Sequence, residues 1–224
     1  MKVSVVIPTL DEERLVAETV ARAQEIGDEV IVADGGSTDA TAARAGAMGA
    51  RVVAAPRGRG AQLAAGAAVT SGDVLLFLHA DVRAPSSARA AMLDALADDA
   101  VVGGNFGLRF VPTTFAARCF TVANDLRRRA LAIHYGDSGL FVRREVYLRV
   151  GGFRPAPLFE DWDLSRRLAR AGRVVYLREV VVEASARRFA HAPLRTLAIW
   201  TALQLGYSLG VAPEHLARLY EDIR

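Results

Sequence analysis

Asp73-Val74-Leu75-Leu76-Phe77-Leu78-His79-Ala80-Asp81 is the stretch on which the reading of the fold turns. Its run from Val74 to Leu78 is apolar without alternation, as expected of a strand covered on both faces in a parallel sheet. Polar residues follow at once. Upstream, strand and helix signals alternate with short loops. Lys2–Ile7 is a β-branched run stopped by Pro8, and Glu12–Ala23 has a helical pattern with Leu15, Thr19 and Val20 on a common side. Asp28–Ala33 reads as a strand and Thr38–Met48 as a helix. Arg51–Ala55 reads as a further strand, and Gly60–Val69 as an alanine-rich helix leading into the apolar run. A helix over Ser86–Leu96 follows it. This β-α-β-α-β-α-β order predicts an α/β fold with a doubly wound, mostly parallel, Rossmann-like sheet. Ligands in such sheets bind beyond the carboxyl ends of the strands.

The second half changes character. Ala100–Phe110 reads as a longer strand broken at Gly103-Gly104, Phe115–Ala132 as a helix, and Ser138–Val142 and Val174–Val182 as strands around a helix at Trp162–Ala171. Leu194–Ser208 carries apolar residues around much of its surface, and Pro213–Tyr220 is a last short helix. There is no internal repeat, linker or domain boundary, so residues 1–224 are expected to form a single domain.

Composition narrows the function classes. The 224 residues are 52% hydrophobic and carry a net charge of +3, with Lys2 the only lysine and the rest of the basic charge on arginine. Arginine's planar fork suits phosphate. The basic residues are scattered and not interleaved with aromatics, which argues against nucleic acid. Cys119 has no second cysteine to pair with and is expected to be a buried small apolar residue. The opening residues lack the form of a secretory signal, and no run of about 18 apolar residues exists to span a membrane. A cytoplasmic location is therefore expected. The segment 194–210, with Arg187, Arg188 and Arg195 nearby, has two readings: peripheral contact with the inner face of a membrane, or a packing or homodimer helix.

Polar clusters stand at the expected strand ends. Pro8-Thr9-Leu10-Asp11-Glu12 offers backbone N–H groups, Thr9 and Glu12 to a base or ribose, or equally a helix cap. In Asp34-Gly35-Gly36-Ser37-Thr38-Asp39 the glycines permit a close backbone approach, and Asp34 can accept from a ring N–H; an ordinary βα turn reads the same way. Arg57-Gly58-Arg59-Gly60-Ala61-Gln62 has the composition of a phosphate cradle without the P-loop spacing. His79-Ala80-Asp81 places a carboxylate where Mg2+ or Mn2+ is often held, because hard cations bridging a diphosphate use only one or two protein carboxylates. In Glu160-Asp161-Trp162-Asp163, Asp161 shares a helix side with Leu164 and Leu168, while Asp163 points towards Glu160. Asp161 is thereby placed to present a general base, with Trp162 as a ligand platform; acids complementing the helix dipole and a core tryptophan read the same way. Gly136-Asp137-Ser138-Gly139 reads as a loop facing an acceptor region, or as a hairpin turn.

Taken in order, these clusters resemble the family-2 glycosyltransferases over the chain to about Ala186, within a compact bacterial subgroup ending Leu219-Tyr220-x-Asp222-x-Arg224. The resemblance implies the GT-A fold: a nucleotide-sugar-binding half (1–100), an acceptor half (101–190) and a C-terminal helical tail (191–224). It implies a nucleoside-diphosphate sugar as donor, UDP-sugar before GDP-sugar, with Mg2+ or Mn2+, and transfer with inversion to an unidentified acceptor. Pro8, Thr9, Glu12, Asp34, Arg59, Gly60, Gln62, His79, Ala80 and Asp81 would bind the donor. Asp81 would hold the metal, Asp161 would be the catalytic base, and Gly104, Asp137, Glu160 and Trp162 would serve the acceptor and sugar. Two positions depart from the family pattern: Gly35 stands in place of a second aspartate, and His79 in place of the first acid of Asp-x-Asp. A nucleotidyltransferase is the rival enzyme, disfavoured by the acidic first βα loop; a noncatalytic nucleotide-sugar-binding protein is the rival from another class.

Overall fold

Strand β1 (Val3–Thr9) shows how the core is divided. Alternate side chains leave a strand on opposite faces. Val3, Val5 and Ile7 enter one apolar cluster, with Val16, Val20, Ala23 and Ile26, while Val6 enters another with Leu63, Ala67, Leu164 and Leu168. The computed structural model describes residues 1–131, 136–189 and 192–221. Its sheet therefore carries helices on both faces, as the doubly wound reading requires.

In chain order, β1 is followed by α1 (Val16–Ile26), β2 (Glu29–Asp34), α2 (Thr41–Ala47), β3 (Arg51–Ala54), α3 (Arg59–Ala68), β4 (Val74–Phe77), β5 (Val82–Arg83) and α4 (Ser87–Ala95). Then come β6 (Val101–Val111), α5 (Phe115–Leu131), β7 (Leu140–Arg143), α6 (Arg144–Arg149), α7 (Glu160–Ala171), β8 (Arg173–Ser185), α8 (Pro193–Ser208) and α9 (Pro213–Glu221). The strand order is β3-β2-β1-β4-β7-β6-β8-β5. The first half of the sheet, β3-β2-β1-β4, is parallel throughout. The second half is mixed: β7 is antiparallel to β4 and β6, β8 runs parallel to β6, and the short β5 closes antiparallel on β8.

Three local expectations change. Helix α1 begins at Val16 rather than Glu12, because the backbone N–H groups of Glu12 and Glu13 donate to Thr41 Oγ1 (2.8 Å) and Asp39 Oδ2 (3.1 Å) of the neighbouring loop. Strand β6 runs through Gly103-Gly104 as one strand, but its pairing with β8 slips at Val101/Gly103, beside the expected break, and again at Phe106/Gly107, where β8 carries extra residues. Cys119 is exposed on α5, whereas its neighbours Ala117 and Phe120 are buried.

The tail is a packing helix on one side. Trp200 meets Phe120 edge-on at 5.5 Å, Tyr207 stacks on Phe159 at 4.4 Å, and Leu203 is buried. Its other side leaves Leu194 and Leu205 exposed. Among the described residues no helix is long and apolar enough to cross a membrane. Ala132, Asp222 and Arg224, named in the sequence reading, lie outside the described residues.

Candidate active site

The carboxyl ends of β1 and β4 open into a cleft of about 660 Å3. Pro8, Thr9 and Glu12 line it from the first βα loop, Arg57, Arg59 and Gln62 from the start of α3, and His79, Ala80 and Asp81 from the end of β4. Leu158 and Glu160 form the opposite wall, with Tyr220 from α9. A second cavity of about 140 Å3 adjoins it, shares Arg59, Leu158, Glu160 and Tyr220 with it, and has Asp137 and Asp161 in its lining. The sequence clusters therefore converge on two connected spaces, one on the parallel half of the sheet and one on the mixed half.

The first two loops are held mainly by each other. Asp11, at φ 53°, accepts the Thr38 N–H at 2.8 Å, and its own N–H donates to Ser37 Oγ at 2.9 Å. Asp34 accepts from the N–H groups of Gly36 (3.2 Å) and Ser37 (3.0 Å) and from Ser37 Oγ (2.5 Å). Asp34 thus closes its own turn and is not among the residues lining the cleft. Gln62, buried, donates through Nε2 to Thr9 O (2.6 Å) and Ala33 O (3.2 Å), tying the ends of β1 and β2 together. Glu12 is left facing the cleft.

Across from Glu12 stands Arg187, from the 3-10 turn that follows β8. Its guanidinium donates to Glu12 Oε1 at 2.6 Å and lies 3.5 Å from Asp81 Oδ2. The bond to Glu12 holds the guanidinium proton above its usual affinity even though partial burial opposes the charge. This arginine joins the carboxylate of the first βα loop to the strand-end carboxylate. The sequence reading placed it only with the basic residues of the tail.

Next to Asp81, His79 Nδ1 lies 2.9 Å from Asp137 Oδ1 without the alignment of a hydrogen bond. Among the described residues no three His, Cys, Asp or Glu side chains converge into a cation cage. Asp81 offers hard oxygen donors at the rim of a phosphate-sized cleft, which suits a divalent cation whose remaining ligands come from a diphosphate and water.

On the other side, α7 starts with Phe159 in the left-handed region (φ 63°), so that the chain turns abruptly into Glu160 and Asp161. Stacking of Phe159 on Tyr207 fixes that turn. Buried Glu160 pairs with Arg59 Nη1 at 3.3 Å. Asp161 accepts the Gly136 N–H at 2.8 Å through Oδ2. Burial pushes its carboxyl up to about 6 and the charge of Glu160 adds to the rise, while the Gly136 N–H and Arg59 oppose it. Arg59 stays charged despite burial because Glu160, Asp137 and Asp161 surround it. A carboxylate poised near neutrality in the smaller cavity, next to the Glu160 shared by both spaces, is equipped to take a proton.

Four assignments move. Gly104 lies inside β6, where a β-carbon would collide with the Val175 carbonyl and the Phe141 ring, so its lack of a side chain serves strand packing. Gly60 likewise lets α3 approach the Arg154 carbonyl and Glu160. Trp162 is buried against Phe159 and Tyr207 and lines neither cavity. Asp163 does not turn to Glu160; it pairs with Arg167 at 2.6 Å and Arg154 at 3.6 Å.

A parallel half-sheet merged with a mixed one, with carboxylates at the strand ends and at the start of α7, is the arrangement of a GT-A glycosyltransferase. Residues 4–151 match the model of glycosyl transferase family 2, and the chain belongs to that family. Over 96 residues it is 38% identical to glucosyl-3-phosphoglycerate synthase of Mycobacterium tuberculosis (37% of this chain, 30% of that protein). Over 156 residues it is 29% identical to undecaprenyl-phosphate 4-deoxy-4-formamido-L-arabinose transferase of Sodalis glossinidius (63% of this chain, 48% of that protein). The matched segments thus span less than half the length of these relatives. The crystal structure of the M. tuberculosis synthase with Mn2+, UDP and glucosyl-3-phosphoglycerate superposes with a TM-score of 0.66 at 23% identity, covering 94% of this chain and 80% of that one. The same protein with Mn2+ and UDP-glucose gives 0.66 at 24%, covering 94% of this chain and 79% of that one.

Proposed function

We propose that the chain transfers a sugar from a nucleoside-diphosphate sugar, UDP-sugar in the first instance, to an acceptor hydroxyl with inversion at the anomeric carbon. The observation that carries this reading is Asp161: a half-buried carboxylate raised to about 6 and anchored by the Gly136 N–H, lining the smaller cavity beside Glu160, which faces both that cavity and the larger cleft. Asp161 removes the hydroxyl proton as the acceptor oxygen forms its bond to the anomeric carbon, and the nucleoside diphosphate departs with the electron pair of the broken bond. Asp81 would hold Mg2+ or Mn2+, which supplies neutralisation of the leaving diphosphate. Arg187 and Arg57, both lining the cleft, add fixed positive charge on the diphosphate side. Glu12, Thr9 and Gln62 shape the nucleoside end. Asp34 acts on it indirectly, by holding the loop that carries Ser37. The metal and UDP in the complexes of the M. tuberculosis synthase support the choice of donor.

A thermal-shift screen of UDP-, GDP- and dTDP-sugars, each with Mn2+ or Mg2+, tests the donor side, because a ligand that binds only the native state raises the melting temperature. UDP-sugars with Mn2+ are expected to give the largest rise. No shift with any donor, together with no metal-dependent hydrolysis of UDP-glucose, would overturn the reading.

A further inference from the structure

His79 follows β4 and lines the larger cleft, yet both nitrogens of its imidazole lie against a turn on the other side of the site. Strand register puts them there. Phe77 pairs with Leu140 in the antiparallel ladder of β4 and β7, so the residues leaving β4 run beside those entering β7. The latter form the 3-10 turn Gly136–Ser138, in which Gly136 is buried. A β-carbon on Gly136 would meet His79 Nε2 at 3.0 Å and Cε1 at 3.3 Å, and His79 Nδ1 lies 2.9 Å from Asp137 Oδ1. The imidazole, itself buried, thus fills the space that a side chain at position 136 would need. On the other flank of β7, Asn105 of β6 pairs with Leu140 and donates through Nδ2 to Ser138 Oγ at 2.5 Å.

A turn gripped from both sides delivers one group to the chemistry, the Gly136 N–H that Asp161 Oδ2 accepts at 2.8 Å. Asp161 Oδ1 takes the N–H of its neighbour Trp162 at 2.7 Å, so Oδ2 is the oxygen oriented from across the site. We propose that His79 is a positioning residue for the base: its ring is the floor that holds the Gly136–Ser138 turn, and through Gly136 it orients Asp161. The proposal rests on the transferase reading above and assigns the imidazole to the base instead of to the donor or its metal. A hydrogen bond to a carboxylate favours the charged form, so a turn that loosens leaves Asp161 both misaimed and harder to ionise. The charges of Glu160, Arg59 and Asp137 act on the same carboxyl and are kept in every variant below.

The test uses the full chain. Hydrolysis of UDP-glucose with Mn2+ gives the activity, calorimetric titration gives the binding of UDP with Mn2+, and 13C NMR of aspartate-labelled protein follows the Asp161 carboxyl, its signal assigned with Asp161→Asn. His79→Ala is expected to lower kcat about tenfold to a hundredfold. It is also expected to move the acid limb of kcat and the Asp161 titration upward by about one pH unit, through the weakened hydrogen bond. Binding of UDP with Mn2+ is expected to be unchanged. His79→Gln, which returns an amide to the place of Nε2, should restore most of the loss. Gly136→Ala should reproduce it by pressing a methyl group on the ring. In the double variant the methyl enters the vacated space, so the loss should be no greater than in either single variant, whereas independent sites would multiply their losses.

An Asp161 titration that does not move in His79→Ala, or in Gly136→Ala where the first variant does not fold, overturns the proposal whatever the activity. Weakened binding of UDP with Mn2+ in His79→Ala, or losses that multiply in the double variant, overturn it as well. If the wild type neither hydrolyses nor transfers from any donor, the transferase reading fails, and the NMR titration still decides whether the ring acts on Asp161 through the turn.

Discussion

Replacing Asp161 with asparagine should slow the enzyme and stabilise it in the same step. The carboxyl rises from an ordinary 3.8 to about 6 on folding, mainly through burial and then through Glu160. The native state therefore binds the proton more tightly than the unfolded chain, and stability is lost as pH climbs from about 4 through about 6. At about 1.4 kcal/mol per pH unit the full effect would reach about 3 kcal/mol. The charges of Glu160, Arg59 and Asp137 act on the same carboxyl in opposing directions, so about 1–3 kcal/mol is the reasonable range. The asparagine side chain carries no charge to desolvate, and its carbonyl oxygen can still accept the Gly136 N–H. A domain of this size gains about 2–4 °C per kcal/mol, giving a rise of about 2–12 °C for Asp161→Asn at pH 7.5. At pH 4.5, where the wild-type carboxyl is itself protonated, the gap should narrow. Turnover should fall by about 10²–10⁴ through loss of the general base. Calorimetric melting at the two pH values, paired with initial rates, measures both effects. A variant that melts no higher than wild type at pH 7.5 and turns over near normally would refute both the burial argument and the assignment of the base.

Four further outcomes follow from the same geometry. The kcat/KM of the wild-type enzyme should fall about tenfold per pH unit below about 6, as Asp161 takes up its proton; a profile flat to pH 5 would point to another base. Asp81→Ala should abolish metal-dependent binding of UDP, and an unchanged calorimetric isotherm would contradict its role as metal anchor. Arg187→Ala should strengthen Mn2+ binding to the donor-free protein several-fold, because it removes a cation 3.5 Å from Asp81; weaker binding in a direct titration would show that the arginine organises the site instead of competing for it. Gly104→Ala should cost about 1–3 kcal/mol by overpacking β6 against the Val175 carbonyl and Phe141. A denaturant midpoint equal to wild type, with acceptor KM altered, would return Gly104 to the acceptor site.

The parts of this molecule legible in its sequence are those governed by local periodicity. The unbroken apolar run at Val74–Leu78 predicted a strand covered on both faces, and β4 is the last strand of the parallel half. The strand-end clusters at Thr9, His79 and Asp81 likewise fall on the cleft, because the carboxyl end of a parallel strand faces a ligand crevice wherever the chain order is βαβ. Glycines and acidic loop residues were less readable. A glycine that admits a ligand and one that admits a neighbouring segment of the chain look alike in one dimension; Gly60 meets the Arg154 carbonyl and Glu160, and Gly104 the Val175 carbonyl of β8. Asp34 illustrates the same ambiguity for carboxylates, since both of its oxygens accept from N–H and O–H groups of its own turn.

Arg187 marks the boundary of what sequence can show. It follows β8, in a turn whose local composition suggested only a basic tail, and lies 175 positions from the glutamate it pairs with. Nothing periodic links them. The link is made by the sheet order: β8 lies beside β6, beyond β7 and β4, and β5 pairs with it so that Asp81 and Ser185 come together (Ser185 N to Asp81 O, 3.3 Å). That backbone contact brings the residues just after β8 to the rim of the donor cleft, where a guanidinium meets two carboxylates left by the first half of the chain. The mixed half of the sheet therefore does more than extend the fold. It returns a positive charge to the cleft at the carboxyl ends of β1 and β4, and for this reason the consequence of Arg187→Ala for metal binding is a test of the topology as much as of the residue.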